Sequence, residues 1–145
     1  DRYGPTHEVF RKPHDLATAK AFSDPPLNTL NLKRTEKGFE GEQGLSLQLP
    51  PFHNVLVGEY TLGFRPHHLQ IQSNGKEVLE LSGEVTVTEI TGSESFIHLR
   101  WAEHDWVAHT QGIIHFSPGE KLELYVSASN CLLFDNQEQL VLAQV

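Results

Sequence analysis

The sequence predicts a mainly β fold, a small barrel of antiparallel strands behind a short helical N-terminal segment. Three observations carry this reading. Helical texture is confined to residues 6–22. From Leu27 onward, short alternating apolar and polar runs are separated by turn residues at fairly regular intervals. The longest run, residues 78–90, alternates strictly and has a glycine at its centre.

In the first segment Thr6 suits a helix cap, and Val9, Phe10, Leu16, Ala17, Ala19 and Ala21 supply apolar positions. Pro13 divides the stretch into two short helices. Asp24-Pro25-Pro26 ends it, because proline lacks an amide donor and restricts the residue before it, and a domain boundary is expected after residue 26. Strands are then expected at 28–33, 45–49, 60–64 and 69–72. In the run 78–90, Leu79, Leu81, Gly83, Val85 and Val87 fall on one face, and Glu80, Ser82, Glu84, Thr86 and Thr88 on the other. Gly83 reads as a bend or bulge that curls the strand around a small barrel. After the turn Thr91-Gly92-Ser93, Ile97, Leu99 and Trp101 alternate with Phe96, His98 and Arg100 in a second strand. Ser117-Pro118-Gly119-Glu120 has proline and glycine where a type II turn needs them, which predicts a hairpin of 113–116 with 122–126. Short strands at 132–134 and 140–143 complete the pattern.

Composition narrows the function classes. With 19 acidic and 11 basic residues the net charge is −8, which opposes both nucleic acid and anionic lipid, so no nucleic-acid partner is expected. Apolar stretches fall far short of the roughly 20 residues a membrane helix needs. The single cysteine, Cys131, sits in the apolar run Cys131-Leu132-Leu133-Phe134 and reads as a small buried hydrophobe. The 145 residues open on Asp1-Arg2-Tyr3 and include no methionine, which suits a piece cut from a longer protein.

Catalytic chemistry is sparse. Nine histidines, including the pair His67-His68 and the spread His98, His104, His109 and His115, are raw material for a metal site, but the His-x-His core of a strand-borne site is absent. A lone cysteine supplies no thiolate pair for structural zinc. There is no Gly-x-Ser-x-Gly elbow and no phosphate-cradling Gly-x-x-x-x-Gly-Lys-Ser/Thr loop, since Gly75-Lys76 lacks both the earlier glycine and the following hydroxyl. No catalytic, cofactor-binding or metal residue is therefore nominated.

Leu62-Gly63-Phe64-Arg65-Pro66-His67-His68-Leu69 resembles the Leu-Gly-x-Arg-Pro-Glu-His-Leu segment of the accessory domain in sugar-import ABC ATPases. Gly83-Glu84-Val85-x-Val87-x-Glu89-x-x-Gly92-x-Glu94, followed by Ile97-His98, resembles the second signature of that domain, the transport-associated OB-fold or TOBE. Upstream, the Gly4-Pro5-Thr6 to Pro13 stretch and Ala21-Phe22-Ser23-x-Pro25-Pro26-x-Asn28 resemble the end of the nucleotide-binding domain in the same ATPases. The resemblance implies a helical nucleotide-binding-domain tail at 1–26 and an OB-like barrel at 27–145. It implies an accessory and regulatory role in an ABC importer of the sugar or glycerol-phosphate type, supporting ATPase dimerisation at the inner face of the cell membrane. A second copy of the subunit and the permease are the implied partners, and ATP and Mg are expected only in the intact parent.

The motif positions Gly63, Arg65, Pro66, Gly83, Glu89, Gly92 and Glu94 also have readings that need no family. Gly63 and Gly92 suit tight turns or close backbone approach, and Arg65 suits a strand end, where its planar fork donates to carbonyls. Glu89 and Glu94 suit solvated positions or contacts to a neighbour. Two rival readings stand beside the resemblance: a stand-alone OB-like module for a small ligand or oxyanion, with Arg65 and Arg100 as its few cationic candidates, and a histidine-metal barrel.

Overall fold

The alternating runs build two antiparallel sheets in the computed structural model, which describes residues 13–21, 24–73, 75 and 78–144. The first sheet contains β1 (Asn28–Thr35), β2 (Gly38–Glu40), β3 (Ser46–Leu47), β4 (Gly58–Phe64), β9 (Leu132–Phe134) and β10 (Leu140–Val141), in the order β10-β9-β4-β1-β2-β3. The second contains β5 (Val78–Thr91), β6 (Glu94–Trp101), β7 (His104–Gln111) and β8 (Lys121–Ser127), in the order β7-β6-β5-β8. Leu30, Leu62 and Phe64 of the first sheet and Ile97, Leu99, Trp106 and Leu124 of the second are sealed from solvent in one shared core. The fold is the expected mainly β, OB-like curled sheet, with one short α-helix among the described residues, α1 (Leu16–Ala21), ahead of the strands.

The two sheets are tied along both edges of the second. On one side the Asn28 side chain pairs with β7 as a strand would: its Nδ2 donates to the Val107 carbonyl at 2.9 Å, and its Oδ1 accepts the Val107 amide at 2.8 Å. Trp106 Nε1 donates to the Thr29 carbonyl at 2.9 Å in the same seam. On the other side Gln70 and Tyr125 of β8 exchange reciprocal backbone bonds of 2.7 and 2.8 Å. This bridge is all that the strand expected at 69–72 amounts to, because the chain has just left a 3-10 turn at Pro66–His68.

The curvature of β5 arises one step away from the expected place. Val85 pairs with Leu99 but Val87 with His98, so Thr86 is the extra residue of a β-bulge. Beyond it the alternation inverts: Val87, expected inside, is 46% exposed. Gly83 serves a different purpose, since a Cβ there would lie 3.2 Å from Leu99 Cβ and 3.3 Å from Leu124 Cδ1. The glycine lets β6 and β8 side chains close over the strand.

The type II-like turn at 117–120 forms, with Gly119 at φ 94° and the Glu120 amide donating to the Ser117 carbonyl at 3.1 Å. Its first arm is not a strand, however, and β8 pairs with β5. The buried Ser95 explains the departure: its hydroxyl donates to the Gly112 carbonyl and accepts the Ile114 amide, pulling the chain off the sheet. The turn then docks on the bulge, where the Gly119 amide donates to the Val85 carbonyl and the Val85 amide to the Glu120 carbonyl. Strand β7 escaped the sequence reading because Glu103, His104 and Asp105 mask its apolar positions. The region expected as a strand at 45–49 contributes only the two residues of β3.

α1 corresponds to the second of the two expected helices; the first, from Thr6, lies outside the described residues. Asp15 caps α1 by accepting the Thr18 amide at 2.8 Å. Leu16 and Ala19 pack with Leu27 and Phe134, and the chain before the helix pairs with β10, the Leu16 amide donating to Glu138 and the Leu140 amide to His14.

Replacing Asn28 with alanine removes the partner of both the amide and the carbonyl of half-buried Val107, so equilibrium denaturation is expected to show a loss of about 1–3 kcal/mol. Replacing Gly83 with valine is expected to cost about 1–3 kcal/mol by overpacking against Leu99 and Leu124. A neutral result in either case would remove the corresponding structural role.

Candidate functional site

The motif 62–69 begins in a central strand and ends in a turn that presents two histidines. Leu62 and Phe64 fill the core, and Gly63 between them faces the α1 side, where a Cβ would meet Leu27 Cδ2 at 2.9 Å and Phe134 Cε2 at 3.3 Å. Close packing is therefore the reason for Gly63, whereas Gly92, at φ 63° in the β5–β6 turn, is there for its backbone conformation. Arg65 is extended, and Pro66 takes the first position of the 3-10 turn, where its missing amide costs nothing. The Arg65 carbonyl accepts the His68 amide at 2.9 Å. Buried Pro66 and Leu69 anchor the turn against β7.

The rings of His67 and His68 lie 4.0 Å apart between centroids. His68 Nδ1 is sealed from solvent with no hydrogen-bond partner. Burial, reinforced by the positive potential of His67 and Arg65, pushes the His68 pKa down to about 4. Burial also lowers that of His67, with Arg65 and His109 adding to the effect. The corner is thus basic in composition but holds its imidazoles neutral.

Three histidines of the second sheet stand beside carboxylates. His109 stacks on Phe96 with centroids 4.3 Å apart, and its Nε2 lies 3.0 Å from Glu94 Oε2, off the hydrogen-bond direction, so that contact is electrostatic. Glu94 also accepts from Gln111 Nε2 at 2.7 Å. His98 contacts Glu89 directly, and His104 Nε2 lies 2.8 Å from Glu42 Oε1. Glu89 and Glu94, expected as solvated or intermolecular groups, are engaged with histidines of their own sheet. Glu94 lies beside His109 of β7, the strand on which the turn of Pro66 packs, while Gly83, Glu89 and Gly92 sit elsewhere along β5 and its turn. His104 and His109 were read from sequence only as raw material for a metal site, and their carboxylate partners could not be foreseen because the pairing depends on the unforeseen β7.

Among the described residues no group of three His, Cys, Asp or Glu side chains is placed to hold a metal ion. Cys131 is buried, donates weakly to the Ser127 carbonyl, and has its thiol pKa pushed up to about 12 by burial. Arg100, one of the two cationic candidates, donates to Asp105, Glu103 and the Ala102 carbonyl, so each of its three nitrogens is engaged within its own hairpin. No helix among the described residues is long and apolar enough to cross a membrane.

The depressed histidine pair makes stability pH-dependent with a definite sign. His68 binds its proton more readily unfolded, near pH 6.5, than folded, near pH 4. Its contribution is fully present above pH 6.5 and is lost as pH falls through that window. Denaturation midpoints measured across pH 7 to 4 are expected to fall more steeply for the natural chain than for His68→Gln; parallel curves would show that His68 is not the titrating group.

Comparison with known proteins places this geometry. Residues 62–134 match the TOBE domain family model, beginning at the first residue of the Leu-Gly-x-Arg-Pro segment. The chain is 28% identical over 140 residues to the sn-glycerol-3-phosphate import ATP-binding protein UgpC of Shigella boydii serotype 4 (strain Sb227), covering 94% of this chain and 39% of that protein. It is 29% identical over 143 residues to UgpC of Chromobacterium violaceum, covering 96% of this chain and 38% of that protein. The chain therefore spans about two fifths of the length of these relatives, at their C-terminal end. Among solved structures it is similar to the cytoplasmic molybdate-binding protein ModG with molybdate bound, with a TM-score of 0.55 and 16% identity, covering 73% of this chain and 94% of that one, a likeness of fold. On the match over 62–134 and the antiparallel barrel that carries it, the chain belongs to the TOBE domain family.

Proposed function

We infer that the chain is the C-terminal accessory domain of the ATP-binding subunit of an ABC importer, where it supports pairing of two ATPase subunits and regulates solute uptake. The observation that carries this reading is the alignment of nearly the whole chain with the C-terminal part of import ATP-binding proteins, centred on the TOBE match. In this reading residues 1–26 are the tail of the nucleotide-binding domain and 27–145 the accessory domain. The parent binds ATP and Mg and hydrolyses ATP in the preceding domain, while the permease is reached through that domain on the cytoplasmic side of the membrane. The accessory domain acts by favouring one arrangement of the ATPase dimer over another, so its influence is bounded by the difference between its contacts in the two states. A sugar or sugar-phosphate class of solute fits the similarity to glycerol-phosphate import proteins.

The ModG likeness favours a second reading, a free-standing module for a small oxyanion. Arg100 is already engaged by Asp105 and Glu103, which weakens it. The coding sequence upstream of Asp1 separates the two: an in-frame phosphate-binding loop, signature motif and switch histidine support the importer subunit, and a start codon immediately before Asp1 supports the module. In the intact subunit, removing the region from residue 27 onward is expected to weaken ATPase dimerisation at least about tenfold by sedimentation equilibrium; an unchanged dimer would sink the proposed support of pairing.

A further inference from the structure

β8 is an edge of the second sheet, and its outer side is taken only at Tyr125, whose amide and carbonyl exchange bonds with Gln70. Peptide groups alternate in direction along a strand, so Lys121 and Glu123 turn their amides and carbonyls to the same outer side as Tyr125. Among the described residues no hydrogen bond reaches those groups, and both side chains are exposed. The other edges differ: β7 meets Asn28, β10 meets the chain before α1, and β3 is two residues long. The open stretch is also clear at its ends. The turn before β8 is drawn toward β5 by the bonds of Gly119 and Glu120 to Val85, and beyond Gln70 the half-buried Ile71 packs into the core.

The order of charges makes this edge complementary to itself. In an antiparallel pairing about a two-fold axis at Leu122, Lys121 stands opposite Glu123 of the second copy, and Glu123 opposite Lys121 of the second copy. Both pairs fall at positions whose backbone groups face outward, so each exchanges an amide-to-carbonyl bond in both directions. The neighbouring registers that preserve this backbone match centre on Lys121 or on Glu123. They set lysine against lysine or carboxylate against carboxylate, which cross-strand neighbours disfavour. A charged edge ordinarily resists pairing; the spacing Lys121-x-Glu123 resists every such register but one.

We propose that two copies of the chain join along β8 in this register, so that the second sheet of one copy continues into that of the other. The proposal rests on the pairing role inferred above and names the surface that performs it.

The test is an NMR dilution series of the 145-residue chain, following the amides of Lys121 and Glu123. Concentration-dependent shifts at these two amides are expected, with association weakened at least about tenfold in Lys121→Glu and in Glu123→Lys. An equimolar mixture of the two variants restores opposite charges at both pairs and is expected to associate within about threefold of the natural chain. Lys121→Glu also meets Glu84 of its own chain, but mixing leaves that contact unchanged, so the recovery reports the contact between copies. Amides insensitive to concentration, association indifferent to either substitution, or a mixture no tighter than its components would overturn the proposal. If any of these accompanies loss of dimerisation on removing residue 27 onward from the intact subunit, this edge is wrong and the pairing role stands.

Discussion

One side-chain amide holds the architecture together. Asn28 presents to Val107 the same donor and acceptor that a neighbouring strand's backbone would present, and by doing so it joins the outer edge of the second sheet to the first. Without that seam β7 is an open edge and Trp106 loses the alignment of its indole with the Thr29 carbonyl. The opposing seam, Gln70 with Tyr125, depends on the same sheet packing from the other side. The core between them is apolar and tolerant in kind, but the two seams are polar and specific in geometry, and they fix which curvature the sheets adopt.

The seams also explain why the Arg-Pro-His-His turn lies where it does. The chain must leave β4, cross to β8 and pair there within a few residues, and buried Pro66 and Leu69 set the path. His68 is carried into a half-buried position against β7 as a consequence, and burial lowers the pKa of both histidines of the turn. The carboxylates Glu89 and Glu94 then find histidine partners across strands.

Much of the fold was legible because period-two alternation survives wherever a strand has one wet face. The long run from Val78, the run from Phe96 and the strands around Leu62 and Leu133 all announce themselves in this way. Three features did not. The bulge at Thr86 carries no glycine or other marker, and the glycine that invited the assignment, Gly83, is needed for packing. Strand β7 has its two inward residues, Trp106 and Ala108, set among histidines and acids. The segment after Gly112 is apolar enough to read as a strand, but Ser95 diverts it, and a single buried hydroxyl has no sequence pattern. The motif positions were legible as a set, whereas their roles divided only once neighbours were known: packing for Gly63 and Gly83, backbone conformation for Gly92, contact with histidines for Glu89 and Glu94. The pairing of His104 with Glu42 and the contact of His109 with Glu94 remained hidden for the same reason as β7.

The strap formed by residues 14–16 against 138–140 has a mechanical consequence. The two segments run antiparallel, so the chain entering at residue 13 and the chain leaving after residue 141 emerge at the same end of the pair. Tension applied between those two points loads the hydrogen bonds one at a time, as a zipper, and peels the strap and then α1 from Phe134. The seams at Asn28 and Gln70 lie behind that point and carry little load until the strap has opened. A pull transmitted along the polypeptide would thus be absorbed by a small, reversible element at the rim, and the barrel would keep its shape while the attachment lengthened.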